Sequence, residues 1–145
     1  MLAHILIAVD GTELSDKAVH EGVALAKELG SKITAVHVTE PWTSAVTGEW
    51  ALAFPVKEYD EVSAANAKRI LVKVADEASR AGVPCQTVHV PNQFAAEAIV
   101  EEARERNCDL IVMASHGRRG FARFLLGSQA TRVLTQSPVP VLIIK

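Results

Sequence analysis

The sequence predicts an α/β fold in which a parallel sheet carries helices on both of its faces. Two observations lead there. Short apolar runs rich in β-branched residues, such as HILIAV at positions 4–9 and DLIVMA at 109–114, alternate with segments whose apolar residues recur at helical spacing. Strands that are apolar on both sides belong inside a doubly covered sheet, and parallel strands need helical crossovers between them.

Each element can be justified in turn. After the first run, the period changes at Thr12. Val19, Gly22, Val23, Ala26 and Leu29 follow a helical stripe, with Thr12 placed as N-cap and Gly30 as the terminal glycine. KITAVHV (32–38) returns to the strand pattern. The connection 41–57, PWTSAVTGEWALAFPVK, holds both tryptophans, Phe54 and two prolines. Loops of this length act as lids or partner surfaces, and tertiary packing of the aromatics is the alternative. Positions 58–81 read as a helix, with Ala67, Leu71, Val74, Ala75 and Ala78 on one face and Gly82 as its stop. A short strand at 86–90 and a turn at Pro91 and Asn92 come next. A helix at 94–106 then carries Ala95, Ile99, Val100 and Ala103. The fourth strand is 109–114, a fourth helix spans 127–136, the SPVP sequence stops it, and VLII at 141–144 forms the last strand.

Composition bounds the function. A chain of 145 residues fits one domain, 1–145, and with 49% hydrophobic and 22% charged residues it has the balance of a folded globular protein. Its formal net charge of -2 gives no electrostatic footprint for nucleic acid, so no nucleic-acid partner is expected. Cys85 and Cys108 lack the spacing of a zinc site and read as reduced, partly buried thiols. The apolar run ILIAV lacks a basic segment before it and soon meets Asp10, so no signal peptide is expected; no run is long enough to span a membrane. Cytoplasmic residence is the resulting expectation.

Ligands of open α/β sheets bind beyond the carboxyl ends of strands where the strand order reverses. Two segments qualify: 8–12 after the first strand and 115–128 after the fourth. The second lies within MASHGRRGFARFLLGS (113–128). Gly117 and Gly120 allow positive φ and close approach, Gly127 and Ser128 open the next helix, and Arg118, Arg119 and Arg123 add local positive charge. The same glycines serve equally well as turns, with solvated arginines. Neither a P-loop G-x-x-x-x-G-K-[ST] nor a dinucleotide G-x-G-x-x-G occurs. Asp10 is placed to accept ribose hydroxyls or bind a metal; capping the first helix is its structural alternative. His116 either donates to a phosphate or is a water-exposed loop residue, while His4, His20, His37 and His89 read as structural. Ser115 beside His116 is not expected to form a dyad, because neighbouring side chains usually diverge. No arranged nucleophile and base is evident. A phosphoacceptor receiver would need an acidic pair after the first strand, where Asp10 is followed by Gly11 and Thr12.

This stretch closely resembles the nucleotide loop of the universal stress protein family, whose ATP-binding members carry G-x-x-G, nine residues, then G-[S/T]. Gly117, nine residues, Gly127 and Ser128 match; the first glycine of the pattern falls on Ala114. The resemblance extends to ILIAVDGTELSDKAV, ITAVHV, DLIVMASHGRRG and SPVPVLIIK, and so covers essentially the whole chain. It implies a five-stranded parallel sheet of order 3-2-1-4-5 and ATP, with Mg2+ as its companion, bound in the loop between the fourth strand and the fourth helix. It further implies that Ala8, Val9 and Asp10 contact adenine or ribose and that the Val38 main chain bonds the adenine edge. Met113, Ala114, His116, Gly117 and Arg118, with Gly127, Ser128, Gln129 and Ala130, would hold ribose and phosphates. A homodimer through Val141–Ile144 and a role in the stress response are implied as well, an apolar sheet edge being a pairing surface in any case.

Overall fold

The computed structural model describes residues 1–117 and 125–145; Arg118, Arg119, Gly120 and Arg123 fall outside the described residues. Five strands, β1 (His4–Ala8), β2 (Lys32–Val38), β3 (Cys85–Val90), β4 (Leu110–Ala114) and β5 (Val141–Ile144), form one parallel sheet of order β3-β2-β1-β4-β5. The long helices are α1 (Glu13–Leu29), α4 (Val56–Ala81), α5 (Ala95–Glu105) and α6 (Ser128–Gln136).

Alternation along the central strands divides the interior in two. Ile5, Ile7 and Val9 point into one core with Val19 and Val23 of α1 and Ile70, Leu71 and Val74 of α4. Leu6, Ile111 and Met113 point into the other, with Ile99 and Val100 of α5 and Val133 of α6. Helices therefore cover both faces, as the continuous apolar runs require. Thr12 caps α1, its hydroxyl accepting from the Ser15 amide at 3.2 Å. Gly30 and Gly82 close α1 and α4 in the left-handed region, at φ 69° and 74°.

The connection 41–57 differs from the bare loop expected. It contains two single helical turns, α2 (Trp42–Ala45) and α3 (Trp50–Ala53), and α4 starts at Val56 rather than at position 58. Prolines account for the boundaries: Pro41 and Pro55 occupy the N-cap positions of α2 and α4, where a missing amide hydrogen costs the helix nothing. The Trp42 indole nitrogen donates to the Phe54 carbonyl at 2.7 Å, and Phe54 meets Tyr59 edge to face. These aromatics pack on the domain, whereas Trp50 and Leu52 are exposed.

Both thiols are unpaired, and burial pushes that of Cys108 up to about 11. Among the described residues no helix is long and apolar enough to cross a membrane. Two histidines join the strands of the sheet. His4 is buried with Nε2 2.7 Å from the Thr34 hydroxyl, and His89 Nε2 lies 2.7 Å from the Thr39 hydroxyl. Burial lowers the pKa of each ring; Lys32 adds to the effect at His4, which Asp109 opposes, and His37 adds to it at His89. The unfolded rings take up protons near 6.5, above the folded values, so between the two the unfolded chain binds more protons. Stability is accordingly retained above about pH 6.5 and lost as pH falls below it. Urea denaturation is expected to give a lower midpoint at about pH 5.5 than at about pH 7.5, and His89→Gln should flatten that dependence.

Candidate functional site

β1 sits between β2 and β4, but the chain leaves β1 for α1 on one face and leaves β4 toward α6 on the other. The segments beyond their carboxyl ends therefore diverge, and a cleft of about 900 Å³ opens between them. Its lining joins Ala8, Val9 and Asp10 with Val38, with Met113, Ala114, His116 and Gly117, and with Gly127, Ser128, Gln129 and Ala130. Every predicted site residue that the structure describes thus faces one cavity; Arg118 lies outside the described residues.

On the β1 side, Asp10 does not cap the helix, since Thr12 does. Its Oδ1 accepts from the Thr12 amide at 2.9 Å and the Thr12 hydroxyl at 2.6 Å, while its own amide donates to the Ser15 hydroxyl at 3.0 Å. Oδ2 stands on the side of Gly117: a Cβ added to that glycine would lie 3.1 Å from it. Gly117 is not in the left-handed region, contrary to the expectation of positive φ; the constraint on it is the space it leaves beside the carboxylate. The buried His37 ring donates from Nδ1 to the Val9 carbonyl at 2.8 Å and so fixes the backbone beside Asp10.

On the β4 side, the strand ends where Ser115 donates its amide to the Ile144 carbonyl at 2.8 Å. The Ser115 carbonyl then accepts from the Gly127 amide at 2.7 Å, which brings the end of β4 and the start of α6 together. A Cβ on Gly127 would stand 2.7 Å from that carbonyl oxygen and 3.3 Å from His116 Cα. The position requires glycine because of the chain's own backbone, before any ligand is considered. Gly127 is the N-cap of α6 without a side-chain cap, and Thr131 is the first amide of the helix to reach a carbonyl, that of Gly127. The amides of Ser128, Gln129 and Ala130 are thus the orphan donors of a helix N-terminus at the cleft wall. Gln129 takes part through its main chain, because its side-chain oxygen accepts from the Ala96 amide at 3.1 Å and ties α6 to α5. Ala114 keeps strand pairing with Ile144 and presents its methyl at the cleft.

Two expectations about the histidine need correction. His116 is half-buried, and its Nε2 is shut off from solvent with no hydrogen-bond partner among the described residues, so the alternative of a water-exposed loop histidine does not hold. Ser115 and His116 do meet: Oγ lies 2.9 Å from Nδ1. Side chains at consecutive positions diverge within a strand, but β4 ends at Ala114 and the loop backbone turns them together.

A third wall was missed from the sequence. Tyr59, Val62, Ser63 and Asn66 of α4 line the cleft opposite the glycines, and Ala95 and Ile99 of α5 line it as well. The spacing of 59, 62, 63 and 66 marks one helical face, and that signal was present in the sequence. Tyr59 donates its hydroxyl to the Glu40 carbonyl at 2.7 Å, joining α4 to the end of β2, and burial raises its pKa.

The family model of the Universal stress protein family matches residues 1–145. The chain belongs to this family. It is 32% identical over 151 residues to Universal stress protein YxiE of Bacillus subtilis, the match covering both chains in full. Among solved structures, Universal stress protein UspA from Lactobacillus plantarum superimposes with a TM-score of 0.85 at 23% identity, covering 99% of this chain and 98% of that one. A universal stress protein solved in complex with cAMP gives a TM-score of 0.73 at 26% identity, over 99% of this chain and 97% of its own. The sheet order that the resemblance implies, 3-2-1-4-5, is the order found here.

The close contact at Gly127 yields a test independent of any ligand. Gly127→Ala is expected to destabilise the ligand-free protein by about 1–3 kcal/mol, because the new methyl must displace main chain rather than a side-chain tip. Thermal or urea unfolding of the ligand-free variant measures it, and unchanged stability would show that this contact does not constrain the loop.

Proposed function

We propose that this universal stress protein binds an adenine nucleotide, ATP with Mg2+, in the cleft between β1 and β4, and acts in the stress response as a binding module in the cytoplasm. The observation that carries this reading is the uncapped N-terminus of α6, whose Ser128, Gln129 and Ala130 amides face the same cavity as Asp10. The cavity is of the size that small-molecule ligands fill. The family member solved with cAMP supports an adenine nucleotide as the ligand class.

In this reading the residues divide the work by position. Apolar Val38 and Met113, with the backbone of Ala8 and Val9, form the adenine and ribose end, and Asp10 accepts ribose hydroxyls through the oxygen that Thr12 leaves free. Gly117, Gly127 and the first turn of α6 let backbone amides approach phosphate oxygens, with Ala114 and His116 beside them; Arg118, which the family resemblance adds, lies outside the described residues. Among the described residues no group of three or more His, Cys, Asp or Glu is placed to hold a metal. Mg2+ would be carried by the phosphates, with Asp10 a candidate carboxylate on the Gly117 side of the cleft. Isothermal titration is expected to show ATP with magnesium binding, with cAMP and GTP as comparisons; no binding of ATP at millimolar concentration would sink the proposal.

A second reading keeps the fold and drops the nucleotide. Trp50 and Leu52 are 75% and 90% exposed and Val56 and Val62 lie on the same stretch, an apolar surface suited to a protein partner. The nucleotide content of freshly purified protein, released by denaturation and resolved by chromatography, separates the readings.

The family's pairing through the last strand extends the proposal to a homodimer. Among the described residues β5 pairs with β4 alone and leaves its other edge open, with Leu142 exposed. Light scattering is expected to give twice the chain mass, and Leu142→Asp to shift the protein toward monomer. A mass near 15.6 kDa for the unaltered protein would overturn the dimer.

A further inference from the structure

We propose that residues 41–55 form a strap that gates the cleft, with Tyr59 as the latch that holds it shut. That the strap opens on Tyr59 stands on the strap's own contacts; that its opening admits a nucleotide rests on the reading above.

The strap is built to move as a unit. Among the described residues the hydrogen bonds of positions 42–54 run within 41–54: Ser44 and Ala45 to the Pro41 carbonyl, Val46 to Trp42, Phe54 to Trp50, and the Trp42 indole to the Phe54 carbonyl. The indole bond draws the two ends together, so the strap is a compact loop packed by its own side chains. No residue of 41–57 is buried, and the strap's only helices are the single turns α2 and α3, which are not stable without support. Shallow burial and bonds that close on themselves mark a segment that opens without unfolding the core.

The flanks are fixed by contrast. Thr39 is held on both sides, its amide on the Val90 carbonyl at 2.9 Å and its carbonyl by the Gln93 amide at 3.2 Å. α4 is anchored in the core by Ala67, Ile70, Leu71 and Val74. From this anchored helix Tyr59 reaches both ends of the strap. Its hydroxyl donates to the Glu40 carbonyl at 2.7 Å, just before the strap, and its ring meets that of Phe54 near the far end, with centroids 6.0 Å apart and planes at 84°. α2 also lies against α4. Held in this way, the strap puts Ala45 and Phe54 on the cleft lining together with Val38, at the end assigned above to adenine.

The latch is made in the ligand-free protein and needs no ligand atom. Kept in the complex, it stabilises the closed form equally with and without ligand, and so controls rates of entry and exit rather than affinity. Tyr59 is thus a positioning residue, and the kinetic pattern separates it from a group that touches the ligand.

The test uses the full chain and Tyr59→Phe, which keeps the ring and removes the donor. In the ligand-free variant, amide hydrogen exchange over 42–54 is expected to rise about fivefold, the weight of one net hydrogen bond, with β1 and β4 unchanged. Phe54→Leu, which removes the ring contact at the other end, should move exchange the same way. Both tryptophans of the chain, Trp42 and Trp50, lie in the strap, so their emission reports on it during stopped-flow mixing with ATP and magnesium. Association and dissociation rates are each expected to rise about fivefold in Tyr59→Phe, while Kd stays within about twofold. Unchanged exchange over 42–54 in both variants overturns the latch. Faster exchange with unchanged ATP rates overturns the gate, and a rise in dissociation alone, with Kd weakened to match, makes Tyr59 a ligand contact instead. Failure of the unaltered protein to bind ATP overturns the nucleotide as what the strap admits, while exchange still decides whether the strap opens on Tyr59.

Discussion

The parallel pairing of β1 with β4 is the constraint from which the rest of the structure follows. Ile5, Leu6 and Ile7 lie in register with Leu110, Ile111 and Val112, and of these six only Leu110 is exposed at all, at 6%. The strands are apolar on both faces because both faces are covered, and the coverings differ: α1 and α4 on one side, α5 and α6 on the other. A parallel neighbour placed across this pairing must be reached by a crossover on the opposite face from the one serving β1 and β2. The chain thus departs from β1 and from β4 in opposite directions. The cleft is the gap that these departures leave, so the core packing and the site have a common origin.

Within that gap a second close contact sets the shape of the β4 wall. The amide of Gly127 meets the carbonyl of Ser115, and the absence of a side chain at 127 permits it. One hydrogen bond then has two consequences. It places the first turn of α6 against the end of β4, where its uncapped amides face Asp10 across the cavity, and it fixes the residue whose hydroxyl meets His116. Substituting this glycine would disturb the loop's own fold and the wall of the cleft together, a constraint that spacing alone does not reveal.

Sequence patterns carried most of the architecture because the relevant signals are local. Runs such as ILIAV and LIVMA, the Thr12 cap and the glycines at 30 and 82 report backbone conformation within a few residues, and each element they mark is present. The two loops of the site were legible for the same reason. What failed depended on direction. Ser115 and His116 were expected to diverge as strand neighbours do, yet the strand stops one residue earlier. Gly117 was assigned a positive φ that it does not have, since a glycine pattern cannot distinguish a need for φ from a need for space. The α4 wall was overlooked because Tyr59, Ser63 and Asn66 look like a solvated helical face until the fold brings Glu40, Ala45 and Phe54 to the same cleft. Tertiary enclosure has no local sequence signature.

The kind of donor at the β4 wall bears on what the site can do. A backbone amide at a helix N-terminus offers a partial charge that is fixed in place and carries no proton it can give up. The described residues at this wall supply donors of this type, and Nδ1 of the nearby His116 imidazole lies 2.9 Å from the Ser115 hydroxyl. Such donors hold an anion without taking or giving a proton. This arrangement makes the cleft a good receptacle for an anion. That is a physical reason for reading it first as a site that retains its ligand.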